Sequence, residues 1–201
     1  MQKAAKPIRD KDLILDIQEY LKYKNERDYV LFVIGITTGY RSQDLVCLRI
    51  RDIQKAIRER EFCIVEKKKD RNAKARGYKK KVEPRRITIR KPVFPILRNY
   101  IKDKKSYEYA FKSRKGNGHI GVNSYGRILK EAGQYFGLNH ISAHTPRKIY
   151  ATNLYEYSGK DLERVKNALG HTSSITTAKY LGIDREVIDE ISGGLDNIIL
   201  H

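Results

Sequence analysis

The sequence predicts an α+β fold that is mostly α, a helical bundle with a small antiparallel β-sheet formed by one hairpin. Apolar residues recur at helical spacing over most of the chain, as in 10–24. Two short runs, 62–66 and 85–89, are rich in β-branched residues and are typical of strands. Because 201 residues suffice for one well-filled core, we expect a single domain over 1–201.

Helices are expected on both sides of the hairpin. Gly39 is a natural left-handed stop for a buried helix, and Ser42 is suited to cap the short helix after it. Thr145 is expected to cap a later helix that has Pro146 in its first turn. The expected helices lie at 10–24, 26–39, 43–50, 93–104, 123–137, 144–159, 160–170 and 173–182.

Positive charge is concentrated in one segment of the chain. The formal net charge is +18 and the isoelectric point is about 9.8. Residues 67–91 hold 13 Lys or Arg against the two acids Asp70 and Glu83, a net charge of +11. Such a cluster commonly meets a polyphosphate, and this one lacks the apolar face with which an interfacial helix enters a membrane. The charge pattern therefore favours nucleic acid as the partner.

Composition also excludes several classes of protein. No stretch approaches the roughly 20 apolar residues that span a bilayer, and 1–13 lacks the apolar core of a signal peptide. Cys47 and Cys63 each lie in an apolar run, which favours two buried reduced thiols over a disulfide or a metal site. We therefore expect a cytoplasmic protein, associated with the nucleoid where its partner is DNA.

Several segments place basic or nucleophilic side chains at the ends of helices. Arg41 stands between a helix stop and a helix start, where an exposed turn can direct its guanidinium outward. His144 directly precedes a helix and Arg147 lies in its first turn, where free N–H groups and the positive dipole end favour an anion. In "GHTSSITTAKY", His171 follows a helix-ending glycine and Tyr180 comes nine residues later, on the next short helix.

In this order and spacing, the segments resemble the tyrosine recombinase (phage integrase) family over nearly the whole chain. "TTGYRSQDLVCLR" is similar to the first box of that family, T-G-x-R-x-x-(D/E)-L-x-x-L. "AHTPRKIYATNLY" is similar to its H-x-x-R helix, and "ALGHTSSITTAKYLGI" to its histidine-to-tyrosine segment. The resemblance implies the fold of that family's catalytic domain and site-specific recombination of double-stranded DNA.

The resemblance also implies a role for each residue. Tyr180 attacks a DNA phosphodiester, expels a 5′-hydroxyl and leaves a 3′-phosphotyrosyl ester. Arg41 and Arg147 bind the charge that develops on the non-bridging oxygens, since each guanidinium can donate two parallel hydrogen bonds. His144 accepts the phenol proton, and His171 donates a hydrogen bond to a phosphate oxygen. No metal and no nucleotide cofactor are expected, because the arginines supply the charge and the ester conserves the bond energy.

A hairpin lysine is expected to protonate the leaving 5′-oxygen, and this assignment stays open among three neighbours. Lys68 is preferred over Lys67 and Lys69, because "EKKK" resembles the "x-K-T" of the family. The connection that follows, 67–84, is expected to be a long basic hairpin loop that binds DNA phosphates. Its predicted DNA-binding residues are Lys67, Lys69, Arg71, Lys74, Arg76, Lys79, Lys80 and Lys81.

The first box departs from the family pattern beside Arg41. Tyr40 stands where an aliphatic residue is usual, and Ser42 is more polar than is typical. These changes are expected to affect the packing around Arg41 more than its charge. Asp44 is expected to cap the following helix, and the alternative is that it orients Arg41.

The ends of the chain raise the question of domain organisation and assembly. Family members commonly begin with a helical domain that binds the opposite face of the DNA, and here that N-terminal core-binding domain is expected to be absent. The apolar tail, 184–201, folds back on its own core or is exchanged between protomers of a dimer or tetramer on DNA. Two other functions stay open: a catalytically silent DNA-binding accessory protein, and a type IB topoisomerase-like enzyme that nicks and rejoins without strand exchange.

Overall fold

The structure is a computed structural model that describes residues 8–67, 70, 71, 75 and 82–183. The chain forms two compact units, which divide between Tyr150 and Ala151. Helices dominate the described residues, and the sheet has two antiparallel strands. The predicted class, mostly α with a small antiparallel sheet, is confirmed.

The elements follow one another as a helical segment, a hairpin and a second helical segment. The helices before the hairpin are α1 (Lys11–Lys24), α2 (Glu26–Thr38), α3 (Ser42–Leu45) and α4 (Ile50–Glu59). The strands are β1 (Glu61–Ile64) and β2 (Arg85–Thr88). The later helices are α5 (Val93–Ile101), α6 (Val122–Tyr135), α7 (Thr145–Tyr157), α8 (Leu162–Leu169) and α9 (Ser174–Leu181).

Local capping explains where the first two helices begin and end. The Asp10 carboxylate accepts hydrogen bonds from two backbone N–H groups of the first turn of α1, as an N-cap residue does. Asn25 ends α1 with its backbone N–H and caps α2 with its side chain. Gly39 ends α2 in the left-handed conformation, as predicted. These boundaries depend on neighbours within four residues, so the sequence shows them directly.

The predicted helix over 43–50 is wrong in its extent. The short α3 ends at Leu45, and a separate helix, α4, begins at Ile50 and continues to Glu59, through residues for which no element was predicted. This helix buries Ile50, Ile53 and Ala56 on one face, while the residues between them are mostly charged. Its apolar stripe is narrow, which is why the charged stretch between 51 and 59 has a weak helical signal.

The two strands pair antiparallel and confirm the predicted hairpin. Glu61 lies opposite Thr88 and Ile64 lies opposite Arg85. Beyond β1, the backbone N–H of Asp70 donates to the carbonyl of Glu66 at 3.1 Å. Lys67, Asp70 and Arg71, the described residues at the start of the basic connection, are helical.

The core of the first unit lies between the helices and the hairpin, and Tyr40 joins these parts. Its hydroxyl lies within hydrogen-bond distance of the carbonyls of Phe62 and Arg85, one on each strand. The Arg85 guanidinium lies over the Tyr40 ring, 4.1 Å from its centroid. At this position, where the family pattern usually has an aliphatic residue, Tyr40 joins both strands of the hairpin to the turn that follows α2. The largest fully buried side chains of this unit include Phe32, Tyr40, Phe62, Phe111 and Tyr125.

The second unit contains α8 and α9, which pack against each other. Asp161 caps α8 by accepting a hydrogen bond from the backbone N–H of Arg164 at 3.0 Å. Val165 and Leu169 of α8 are fully buried. Among the described residues of both units, no helix is long and apolar enough to cross a membrane.

Candidate active site

Arg41 lies in the turn between α2 and α3, where a left-handed glycine redirects the chain. Gly39 has φ +60°, which glycine adopts without a Cβ penalty. A Cβ here would lie 2.2 Å from Cδ1 of the Tyr150 ring, so the ring also excludes a larger residue. Arg41 follows in extended conformation and its side chain stays 19% exposed. The turn thus holds a partly accessible guanidinium at a helix start.

Arg147 lies in the first turn of α7, and its side chain is only 3% exposed. Its Nη1 donates to the carbonyl oxygen of Gly39 at 2.6 Å. The start of α7 approaches α2 closely, since a Cβ on Gly35 would lie 2.7 Å from Cβ of Pro146. Because Gly35 has no Cβ, the start of α7 can pack close to α2, and Arg147 reaches the turn that carries Arg41.

Two predicted helix caps are wrong, and both hydroxyls instead stabilise the loop before α7. Ser42 is the first residue of α3, and its Oγ donates to the carbonyl of Ala143. Thr145 is the first residue of α7, and its Oγ1 accepts a hydrogen bond from the backbone N–H of Ser142 at 3.0 Å. Pro146 lies in the first turn of α7, as predicted. Ser42 thereby links the turn of Arg41 to the loop that precedes Arg147.

A carboxylate that the sequence analysis did not identify joins the two arginines. Glu66 follows β1, and its side chain is 1% exposed. Its Oε1 lies 2.7 Å from Nη1 of Arg41 and 3.1 Å from Nη1 of Arg147. A buried charge is tolerated when it is paired and hydrogen-bonded, and here one oxygen pairs with two guanidiniums. The first unit therefore brings Arg41 and Arg147 together around Glu66, an acid that the sequence pattern did not indicate.

Asp44 holds the backbone at the start of the lysine segment, and the expectation that it caps a helix is wrong. Its Oδ1 accepts a hydrogen bond from the backbone N–H of Lys67 at 3.0 Å. Burial raises the pKa of the Asp44 carboxyl, and the charge of Glu66 adds to this. The Lys67 N–H and the Arg41 charge act in the opposite direction on that pKa. Asp44 therefore links the first box to the hairpin.

Lys67 is the one member of the lysine triplet among the described residues, and its ammonium contacts a thiol. Its Nζ lies 2.8 Å from Sγ of Cys47, which in turn lies 3.4 Å from Nε2 of His119. Cys47 and Cys63 are free thiols, as predicted, but they are half-buried. Arg71 is exposed in a helical segment. The remaining predicted residues, Lys68, Lys69, Lys74, Arg76, Lys79, Lys80 and Lys81, lie outside the described residues, as does the tail 184–201.

His144 lies directly before α7 and is exposed. Its backbone N–H donates to Oγ of Ser142 at 3.2 Å, which orders the loop around it. The residue borders a surface pocket whose wall includes Asn123, Arg127 and Lys130 of α6. His144 is therefore accessible to solvent beside two basic side chains of α6, Arg127 and Lys130.

The second unit brings His171 and Tyr180 together. Gly170 ends α8 with φ +64°, and His171 stands in the turn that precedes α9. Nδ1 of His171 lies 3.1 Å from Oγ1 of Thr177, a fully buried residue of α9. The imidazole meets the Tyr180 ring edge to face, with centroids 5.5 Å apart. Thr177 thus orients the histidine beside the tyrosine that was predicted to be the nucleophile.

Arg85 is a second charged residue that the sequence analysis did not assign to this region. Its Nη2 donates to the carbonyl of Thr38 at 3.0 Å. Burial lowers the pKa of its guanidinium, while the charge of Glu66 raises it. In the sequence, Glu66 ends one strand run and Arg85 begins the other, on either side of the basic loop. That position does not show whether a charged side chain is buried or lies on the surface.

Comparison with known proteins gives one family. The sequence profile of the phage integrase family matches residues 9–186. A probable integrase/recombinase YoeC of Bacillus subtilis is 33% identical over 194 residues, which cover 95% of this chain and 98% of that protein. Tyrosine recombinase XerD of Rickettsia bellii is 32% identical over 154 residues, which cover 71% of this chain and 47% of that protein. The chain thus spans nearly all of one relative and about half of the other.

Solved structures share the fold at low sequence identity. The crystal structure of XerA recombinase superposes with a TM-score of 0.66 at 18% identity, covering 96% of this chain and 65% of that one. The Tn1549 transposon integrase in complex with a circular intermediate DNA gives 0.65 at 17% identity, covering 89% and 62%. XerH site-specific recombinase bound to its difH substrate in a post-cleavage complex gives 0.60 at 20% identity, covering 94% and 53%.

Proposed function

Because the chain belongs to the phage integrase family, we propose that it is a tyrosine site-specific recombinase that breaks and rejoins double-stranded DNA. The observation that carries the proposal is the convergence of Arg41 and Arg147 on one atom, with Nη1 of each within 3.1 Å of Glu66 Oε1. Two planar guanidiniums at one place suit a phosphoryl group, because each presents paired N–H donors.

In the proposed first step, the Tyr180 hydroxyl attacks the scissile phosphorus and the bond to the 5′-oxygen breaks. The phenol proton passes to His144, which is exposed, since histidine is the side chain that most often serves in general acid–base catalysis. Arg41 and Arg147 stabilise the charge on the non-bridging oxygens. The products are a 3′-phosphotyrosyl ester and a DNA end with a 5′-hydroxyl.

Two further residues complete the step. A lysine of the triplet, with Lys68 preferred, gives its proton to the leaving 5′-oxygen. His171, oriented by Thr177 at 3.1 Å, donates a hydrogen bond to a phosphate oxygen. A 5′-hydroxyl from the partner strand then attacks the phosphotyrosyl ester, which rejoins DNA and restores Tyr180 without a net change in bond energy.

The basic hairpin loop, 67–84, is proposed to bind DNA phosphates beyond the cleavage point. Its positive charge gives affinity without sequence preference. The protein would work as a dimer or tetramer on two duplexes, with the tail 184–201 reaching a neighbouring protomer. Such a role places it on the nucleoid.

The test is covalent capture of DNA. The protein is incubated with a pool of nicked suicide duplexes of varied sequence, with and without EDTA, and adducts are isolated under denaturing conditions and sequenced. We expect an adduct with wild type, none with Tyr180→Phe, and a decrease in its rate of about 10²–10³-fold for Arg147→Lys, the size of effect seen when one preorganised donor is lost.

Each outcome bears on the proposal. An adduct retained by Tyr180→Phe would move the nucleophile to another tyrosine. Tight DNA binding with no adduct from any duplex in the pool would favour the accessory protein. Adducts that never lead to joining between two duplexes would favour the topoisomerase-like enzyme.

A further inference from the structure

We propose that Glu66 is a positioning residue, whose carboxylate sets the spacing and orientation of Arg41 and Arg147 for a single phosphate. The inference rests on the proposed function, because it assigns Glu66 to the same reaction. It concerns a residue that would never touch the DNA and would act only through the two guanidiniums.

The geometry favours this role because one oxygen serves both arginines. Oε1 lies 2.7 Å from Arg41 and 3.1 Å from Arg147, both at Nη1. Arg147 has a second anchor on the same nitrogen, the carbonyl of Gly39 at 2.6 Å. Glu66 and the Gly39 turn together determine where the second arginine stands relative to the first.

Electrostatics explains why an acid is needed at this point. Two guanidiniums close together repel each other, and the repulsion grows as water is excluded. Arg147 and Glu66 are almost fully buried, so little water screens them. A carboxylate between the two cations lets both stay in place before any phosphate arrives, which is the preorganisation that transition-state stabilisation requires.

The burial of Glu66 argues against a competing role as a stand-in for the phosphate. Its side chain is 1% exposed, whereas that of Arg41 is 19% exposed. A phosphate arriving from solvent therefore meets the guanidinium of Arg41 before it meets the carboxylate. The carboxylate supports the arginine from the protein side.

Glu66 also connects the arginines to the lysine segment through its own backbone. Its carbonyl accepts the N–H of Asp70 at 3.1 Å, and the next N–H, that of Lys67, donates to Asp44 at 3.0 Å. The residue that spaces the arginines is therefore also the residue directly before Lys67, the first lysine of the triplet. A shift at position 66 would also displace the backbone of Lys67.

The experiment compares Glu66→Gln with the matched control Glu61→Gln. Glu61 is the first residue of β1, and its half-buried carboxylate pairs with Arg86 of β2. The substrate is a suicide duplex that wild type captured in the experiment described above. For each protein we measure the single-turnover rate of adduct formation on this duplex, the Kd for it in the Tyr180→Phe background, and the midpoint of unfolding. The rate is also measured with a methylphosphonate at the scissile position, which lacks one charged oxygen.

We expect Glu66→Gln to slow adduct formation by roughly 100-fold, the effect of a small misplacement of catalytic groups. The Kd should change by less than about 3-fold, because most affinity comes from other phosphates. The deficit should shrink on the methylphosphonate duplex, where the arginines have less charge to stabilise. Glu61→Gln should match wild type.

Three results would overturn the inference. An unchanged rate per folded molecule with a lowered unfolding midpoint would make Glu66 merely structural. A faster rate in Glu66→Gln would show that the carboxylate competes with the phosphate. An equal deficit on both duplexes would mean that Glu66 does not act through the arginines. Absence of any adduct from wild type would instead refute the proposed function, and with it the inference built on it.

Discussion

Replacing Gly39 with alanine should destabilise the protein more than the same change at any open left-handed glycine. An alanine at φ +60° has a conformational cost of about 1–2 kcal/mol. Its Cβ would also lie 2.2 Å from Cδ1 and 2.7 Å from Cε1 of the Tyr150 ring. Forcing a group into a packed site costs a further 1–3 kcal/mol or so, so we expect a total of about 2–5 kcal/mol.

Gly137→Ala separates the two contributions. Gly137 has φ +69°, and nothing lies within 4 Å of a Cβ built there, so its replacement should carry the conformational cost alone. The assay is chemical denaturation of each variant, with the free energy of unfolding extrapolated to zero denaturant. The double variant Gly39→Ala/Tyr150→Ala removes the ring, and its Gly39→Ala step should then resemble Gly137→Ala.

The same substitution has a functional consequence, because Arg147 donates to the Gly39 carbonyl at 2.6 Å. A displaced carbonyl should misplace Arg147 and slow adduct formation on a suicide duplex. If Gly39→Ala were no less stable than Gly137→Ala, the close approach of the Tyr150 ring would be refuted. If stability fell but the rate per folded molecule did not, the carbonyl would have no part in positioning Arg147.

Three further predictions concern other parts of the site. Burial raises the pKa of the Asp44 carboxyl in the folded protein, so wild type loses stability as the pH rises from about 4 towards 7 and the native carboxyl must ionise. Asp44→Asn has no such carboxyl and should gain stability relative to wild type over that range. A difference in unfolding free energy that does not depend on pH would contradict this. Thr177→Val should cost about 0.5–1.5 kcal/mol of stability and slow adduct formation, because it removes the hydroxyl that orients His171 at 3.1 Å; an unchanged rate would separate His171 from the reaction. Replacing Lys79, Lys80 and Lys81 with alanine should make DNA affinity less dependent on salt. The magnitude of the slope of log K for DNA binding against log salt should fall by up to about 0.9 for each DNA phosphate that these lysines neutralise. An unchanged slope in a filter-binding titration would exclude them from the DNA interface.

The elements that depend on near neighbours were predictable. The left-handed stops at Gly39 and Gly170 follow from a glycine placed just after an apolar helical run. The strand runs that became β1 and β2 were visible in their β-branched residues. The narrow apolar stripe of α4 was overlooked, although its spacing is helical. The order of the basic and nucleophilic residues was enough to indicate the family.

The order of amino acids is therefore sufficient for most of the elements, for the family and for the residue types available for phosphate chemistry. Which partner each polar group takes depends instead on the folded chain. Ser42 and Thr145 looked like helix caps, yet Ser42 bonds a carbonyl 101 residues away. Glu66 meets an arginine 81 residues later in the chain. A hydroxyl or a carboxylate can satisfy its hydrogen bonds with any donor or acceptor that packing brings near, whereas spacing along the chain reports only on neighbours within about one helical turn.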